Sequence, residues 1–300
     1  MSGRALLPLC GAVLLLLGGC TITEKRLSAK EYYTQANDAF VREDFPTAVE
    51  YYRNLMDQYP LNPYSEEAQL KVAYSYYLDK KYTEAIASFS DFERAYPTSS
   101  HLPFVEYYRG MCYLEQMRST DRDQSVTEKA HDFFRTIVDR YPESSFAQLA
   151  EEKIRICRDA MATHELYIAD FNDNIARNLF AALVRLRRVI ENYPETEATM
   201  IALSRLEAIL KEGQKPELAE LAAKALAVRQ AAKASTNHNS PHDSSELPPP
   251  SVDPLLSLVV EIKKAEEEIR RDLYKAPEVK EVKSEEKALN QLVVGGEEEE

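Results

Sequence analysis

Apolar positions along most of this chain fall in stripes of helical period, and one stripe recurs four times. An alanine (Ala48, Ala85, Ala130, Ala182) is followed four residues on by a large apolar side chain (Tyr52, Phe89, Phe134, Leu186). Three residues further comes another: Leu55, Phe92, Ile137 or Val189. Each stripe closes on Tyr-Pro, at Tyr59-Pro60, Tyr96-Pro97, Tyr141-Pro142 and Tyr193-Pro194. Offsets of four and three put these side chains on one face of a helix. The alanine lets a partner helix come close, the larger residues fill the space beside it, and the proline ends the helix. Ahead of the first three stripes lies another helical pattern with a small residue at its tight crossing, Ala36, Ala73 or Gly110. The chain therefore predicts antiparallel helix pairs.

Alanine, a large apolar residue and proline at these offsets form the second half of the tetratricopeptide pattern. The predicted fold is all-α, a tetratricopeptide-like helix-turn-helix solenoid of about five repeats over residues 29–232, followed by a flexible C-terminal tail. The motif alanines lie 37, 45 and 52 residues apart. That irregularity points to a dedicated scaffold rather than a uniform adaptor. In repeat three an insertion, Arg118 to Thr127, must loop out between the helices. Repeat four has a long first helix region, Phe146 to Ile175. A degenerate fifth repeat spans Glu197 to Gln230, with Gly213 and Pro216 at its turn and Ala219, Ala223 and Leu226 on its second helix. Residues 233–254, rich in Ser, Asn and Pro, read as a linker. Residues 255–275 carry an amphipathic pattern through Leu255, Leu256, Val259, Ile262, Ile269 and Leu273. Residues 276–300 are charged and read as disordered.

Composition narrows the function. A formal net charge of −13, from 50 acidic and 37 basic residues, argues against nucleic acid as a partner. Eight glycines and no tryptophan beside 18 tyrosines fit a tyrosine-packed helical protein without phosphate-cradling loops. No cofactor is expected. His101, His131, His164, His238 and His242 are scattered, and no metal-binding or catalytic constellation accompanies them, so neither a metal site nor an enzyme is expected. Cys112 and Cys157 lie on amphipathic helices, either as two buried thiols or as a pair bridged in an oxidising compartment.

Residues 1–19 carry a thin basic start (Arg4) and an apolar run from Ala12 to Leu17, the layout of a secretory signal and too short to span a bilayer. Leu17-Gly18-Gly19-Cys20 resembles the bacterial lipobox, in which the cysteine is acylated. On that resemblance Cys20 is the lipidation site, residues 20–28 are a tether, and Thr21 in place of aspartate directs the lipoprotein to the outer membrane. The protein would then face the periplasm from its lipid anchor.

The repeats are filled by Gln-Tyr-Pro-Leu-Asn-Pro-Tyr-Ser at 58–65, Ala-Tyr-Ser-Tyr-Tyr at 73–77 and Tyr-Tyr-Arg-Gly at 107–110. On these motifs rests a resemblance to the BamD (ComL/YfiO) family of outer-membrane assembly lipoproteins over residues 17–228. It also rests on Asp-Arg-Asp at 121–123, Tyr-Pro-Glu-Thr-Glu-Ala-Thr at 193–199 and the lipobox itself. It implies a scaffold of the β-barrel assembly machinery that holds the POTRA domains of a barrel-forming partner. It also implies contact with unfolded outer-membrane proteins at their C-terminal strand, and with other assembly lipoproteins. Arg185 stands where the family has an arginine that meets an acidic POTRA residue. Nothing in the resemblance accounts for the tail beyond residue 230.

From the repeat pattern alone, first helices should line a concave groove. Counting from the tight-crossing residue gives Tyr33, Asn37 and Phe40, then Leu70, Tyr74 and Tyr77, then Phe104, Tyr107 and Met111. About half of these are expected to pack between repeats. The groove would suit an extended or helical apolar segment. A basic cluster, Arg185, Arg187 and Arg188, is the second candidate surface. Asp121, Arg122 and Asp123 either meet a partner or shape a turn. The competing reading, a periplasmic adaptor of envelope division or peptidoglycan machinery, would favour a coiled coil ahead of the repeats, where only about ten residues follow Cys20 before the periodic pattern begins. A hydrolase would need a catalytic set outside the repeats, and none is present.

Overall fold

The computed structural model describes residues 26–213, 215–236 and 254–274. These residues form helices and their connections, with no strand among them. Repeat one pairs α1 (Ala29–Val41) with α2 (Phe45–Gln58), and repeat two pairs α3 (Ser65–Leu78) with α4 (Tyr82–Ala95). Repeat three pairs α5 (Leu102–Leu114) with α6 (Ser125–Arg140). Repeat four pairs α7 (Ser145–Asp170), extended by a wide π turn over Phe171–Ile175, with α8 (Leu179–Asn192). Repeat five is α9 (Glu197–Glu212) and α10 (Pro216–Thr236), and α11 (Pro254–Tyr274) follows. The chain divides into two compact bodies, residues 1–99 and 100–300. Residues 1–19, expected to be a secretory signal, Cys20 and residues 276–300 lie outside the described residues.

Each motif position has a structural cause. Ala48, Ala85, Ala130 and Ala182 are fully buried, as are Tyr52, Phe89, Phe134, Leu55, Phe92, Ile137 and Val189, with Leu186 all but so. The tyrosine before each proline caps its helix outside the helical conformation, with φ of −135°, −130°, −132° and −130° at Tyr59, Tyr96, Tyr141 and Tyr193. A proline ring crowds the helical conformation of the residue before it, so the helix ends on that tyrosine. Each tyrosine N–H still donates to the carbonyl four residues back, at 2.8–3.0 Å.

The turns inside three repeats share a feature that the sequence conceals. Glu43, Lys80 and Arg177, each five residues before a motif alanine, adopt positive φ of 61°, 58° and 52°. A left-handed residue reverses the chain directly before the second helix, a place that Gly or Asn would usually signal. Asp44 and Asn178 then cap α2 and α8, accepting from the Thr47 and Ala181 N–H groups.

In repeat three the insertion forms the loop between α5 and α6. Gln124 is buried there and donates to the carbonyls of Ser119 and Arg122, while its own oxygen accepts from Thr127 Oγ1 at 2.9 Å. His164 of α7 sits 2.6 Å from the Thr120 carbonyl, tying the loop to repeat four. Cys112 and Cys157 are separate buried thiols, each pushed up to about 12 by burial. Helix α10 continues to Thr236, past residue 233, the expected start of the linker, and residues 237–253 lie outside the described residues.

Candidate binding surfaces

In the first body, α1 and α3 present an aromatic strip. Tyr33 stacks on Tyr64 at 4.5 Å between ring centres and meets Tyr52 edge-on at 6.3 Å. Phe40 touches Phe45 and Tyr74 at 5.8 and 6.1 Å. Tyr74 and Tyr77 lie nearly parallel, 6.0 Å apart, and Tyr77 continues to Tyr82. Tyr33, Phe40, Leu70, Tyr74 and Tyr77 are all half-buried.

A polar knot that the sequence reading missed sits in this strip. Lys71 Nζ lies 5.6 Å from the Tyr33 ring centre and 5.8 Å from that of Phe40. The same ammonium donates to Asn37 Oδ1 at 2.5 Å and pairs with Glu67 at 3.0 Å. Asn37 Oδ1 also accepts from the Tyr52 hydroxyl at 2.6 Å. Burial, then a hydrogen bond to Glu67, raises the Tyr33 phenol above its ordinary range, keeping it a neutral donor. Asn37 is thus the joint on which three helices agree. The signal for Lys71 was its place four residues after Glu67 and three before Tyr74, on the same helical face.

In the second body Tyr107, counted with the groove, is buried beneath Phe134 and Phe146 at 5.6 and 5.4 Å. It is a packing residue within repeats three and four. Phe104 also packs on Phe146, edge-on at 5.9 Å.

Asp121, Arg122 and Asp123 stand exposed on the insertion. Asp121 accepts from Ser119 Oγ at 2.5 Å, and Asp123 accepts from the Ser125 hydroxyl and, at 3.2 Å, from the Ser125 N–H. These hydroxyl and amide donors hold both carboxyls below the usual range. The two aspartates build the turn that launches α6, while the Arg122 side chain is 69% exposed.

The arginines of α8 all have carboxylate neighbours within the chain. Arg185 Nη1 donates to both oxygens of Glu165 on α7, at 3.2 and 2.9 Å, and Arg188 stands 3.7 Å from the same carboxylate. Arg187, with 14% of its side chain exposed, donates through Nε to Glu266 of α11 at 2.8 Å and through Nη1 to Glu191 at 2.6 Å. Lys263 of α11 closes on Glu191 from the other side and, with Arg187, holds that carboxyl below its ordinary range. Arg185 and Arg188 remain partly open, whereas Arg187 is covered.

Among the described residues no cluster of histidine, cysteine and carboxylate side chains is placed to hold a metal ion. Nor is any helix among them long and apolar enough to cross a membrane.

Comparison with known proteins bears on residues 25–226, which match the YfiO family, described as outer membrane lipoprotein. The chain is similar to an outer membrane protein assembly factor BamD of Caulobacter vibrioides, 33% identical over 186 residues. That alignment covers 62% of this chain and 61% of the relative, so the chain spans less than two thirds of that protein's length. It is also similar to proteins of the same name from Xylella fastidiosa, at 29% identity with 64% and 70% covered, and Vibrio cholerae, at 29% with 63% and 84% covered.

Proposed function

This chain belongs to the YfiO family of outer membrane lipoproteins, and from that premise we propose that it is a non-enzymatic scaffold of outer-membrane β-barrel assembly. Acylated at Cys20 and facing the periplasm, it binds the POTRA region of a barrel-forming partner through the open arginines Arg185 and Arg188, with Arg122 on the insertion as a further contact. Through the strip of α1 and α3 it receives unfolded outer-membrane proteins. The support for the partner surface is electrostatic: arginines stand together on one helix of an acidic chain, where a central arginine can contribute about 2 kcal/mol or more to an interface.

The observation that carries the substrate reading is the strip around Lys71. Half-buried tyrosines offer flat apolar faces with hydroxyls at their rims, suited to a chain segment rich in aromatic and apolar residues. Asn37, Glu67 and Lys71 supply donors and acceptors between those rings. Such a surface can hold many related segments without demanding one sequence, as a scaffold for a class of clients requires.

Depleting the chain from cells is expected to lower the folded, heat-modifiable barrel proteins of the outer membrane severalfold. Replacing it with a Tyr74→Ala/Tyr77→Ala chain is expected to reproduce much of that loss while helical content stays near wild type. Barrel levels that hold through depletion would sink the assembly reading. Levels that fall on depletion but hold in the tyrosine variant would sink only the groove.

A further inference from the structure

Helix α11 lies beyond the 25–226 match and is joined to α10 through residues 237–253. The five repeats are complete without it, yet it is docked. Leu255, Leu258, Val259 and Ile262 are buried in the core shared by α8, α9 and α10. These positions follow the i, i+3, i+4, i+7 spacing of a single helical face.

The place where α11 sits differs from that of a sixth repeat. It rests on α8 and α10, the second helices of repeats four and five. A continuing array would instead stack a new helix pair on the whole of repeat five. Its orientation is set by charge. Arg187 pairs with Glu266, and Glu191 with Lys263, so rising numbers on α8 meet falling numbers on α11. The two helices run antiparallel, joined by a chain of alternating charges, Glu266, Arg187, Glu191 and Lys263.

The seating is partial. A cleft of about 390 Å³ lies between α11 and the start of α10, lined by Lys215, Glu217, Glu261, Lys264 and Glu268 among others. Leu256 and Val260, one turn apart, stay 55% and 45% exposed. Four buried apolar side chains must offset the ordering of the helix and of its connection to α10, a contest that leaves such a helix near balance. Beside these apolar contacts, α11 is held on α8 through charged side chains, Arg187 and the more open Glu191.

We propose that the groove between α8 and α10 is a helix-receiving site, and that α11 is its displaceable occupant in cis, a cover over Arg187. A partner reaches that arginine only when α11 lifts, and the binding surface is then enlarged by the vacated groove. The regulatory consequence rests on the reading of α8 as a partner surface; the docking itself does not.

The test uses the full chain and a fluorescein-labelled peptide of residues 254–274. Leu258→Asp combined with Glu266→Lys buries a charge and sets a lysine against Arg187, so α11 is released. Amide exchange should then rise sharply over 254–268 and stay unchanged through α9. The released chain should bind the peptide at least tenfold tighter than wild type, whose groove is already filled. Equal binding by both chains, or binding by neither, would overturn the proposal. So would exchange that spreads through α9 and α10, since α11 would then be an integral part of the repeat. Capture of a POTRA fragment separates the readings. Tighter peptide binding without a gain in capture removes Arg187 from the partner surface and leaves the helix-receiving groove standing.

Discussion

Gly110 shows how little room a repeat leaves at its tight crossing. Ala36 and Ala73 occupy the matching positions and are fully buried, so a methyl group is tolerated in repeats one and two. At Gly110 a Cβ would meet the Phe134 ring at 2.8, 3.0 and 3.1 Å. That ring cannot swing aside, because it is completely buried and flanked by Tyr107. Two opposing effects decide the outcome of Gly110→Ala. Alanine gains up to about 1 kcal/mol in a helix interior, while overpacking a filled core costs about 1–3 kcal/mol. The clash should win, lowering the urea midpoint of the second body. A midpoint equal to or above wild type would mean that α5 and α6 slide apart freely, and the close crossing would lose its structural weight.

At the scale of elements, α8 carries the proposed partner surface and also an ion pair hard to see in the sequence. Reversing Arg185 to glutamate would set two carboxylates together, because Glu165 already takes both hydrogen bonds from its guanidinium. Such a variant would disturb the α7–α8 contact as well as any interface. Glu165→Gln is the cleaner probe. It keeps the shape and a hydrogen-bond acceptor, removes the competing charge, and leaves Arg185 free to meet an acidic partner residue. Capture of the POTRA-bearing partner should then tighten severalfold at physiological salt, while Arg185→Gln should weaken it. If Glu165→Gln leaves capture unchanged, Arg185 is an internal tie between α7 and α8. The helix ends were legible because proline acts on its immediate neighbour, as Tyr59, Tyr96, Tyr141 and Tyr193 show. The core was legible through the same local periodicity. The partner of Arg187 was not, since 79 residues separate it from Glu266 and only packing brings them together. Nor were the turns at Glu43, Lys80 and Arg177, where ordinary charged residues adopt a conformation that glycine or asparagine would have announced. The aromatic positions at 33, 40, 74 and 77 follow from counting along each helix, but counting alone could not tell Tyr107, buried, from Tyr74, half open.

For the molecule as a whole, the proposed attachment rests on one residue, the cysteine of Leu17-Gly18-Gly19-Cys20, in a chain of an outer membrane lipoprotein family. No helix among the described residues can cross a bilayer, so these parts offer no transmembrane alternative. The energetics of attachment are steep in the number of chains. Each buried methylene contributes about 0.8 kcal/mol, one acyl chain holds a protein only marginally, and two hold it stably. A diacylated Cys20 would therefore keep the repeats at the membrane even when every protein partner has dissociated. The net charge of −13 adds nothing to this, since anionic lipids would repel it. Cys20→Ala should accordingly abolish labelling by a fatty-acid probe and move the chain to the soluble periplasmic fraction. The decisive measurement is made in cells depleted of the POTRA-bearing protein, where no partner can retain the variant by proxy. Sedimentation of Cys20→Ala with outer membranes under that condition would show that another part of the chain grips the bilayer. Release there, together with retention when the partner is present, would separate the lipid anchor from the protein interface as two independent holds on one scaffold.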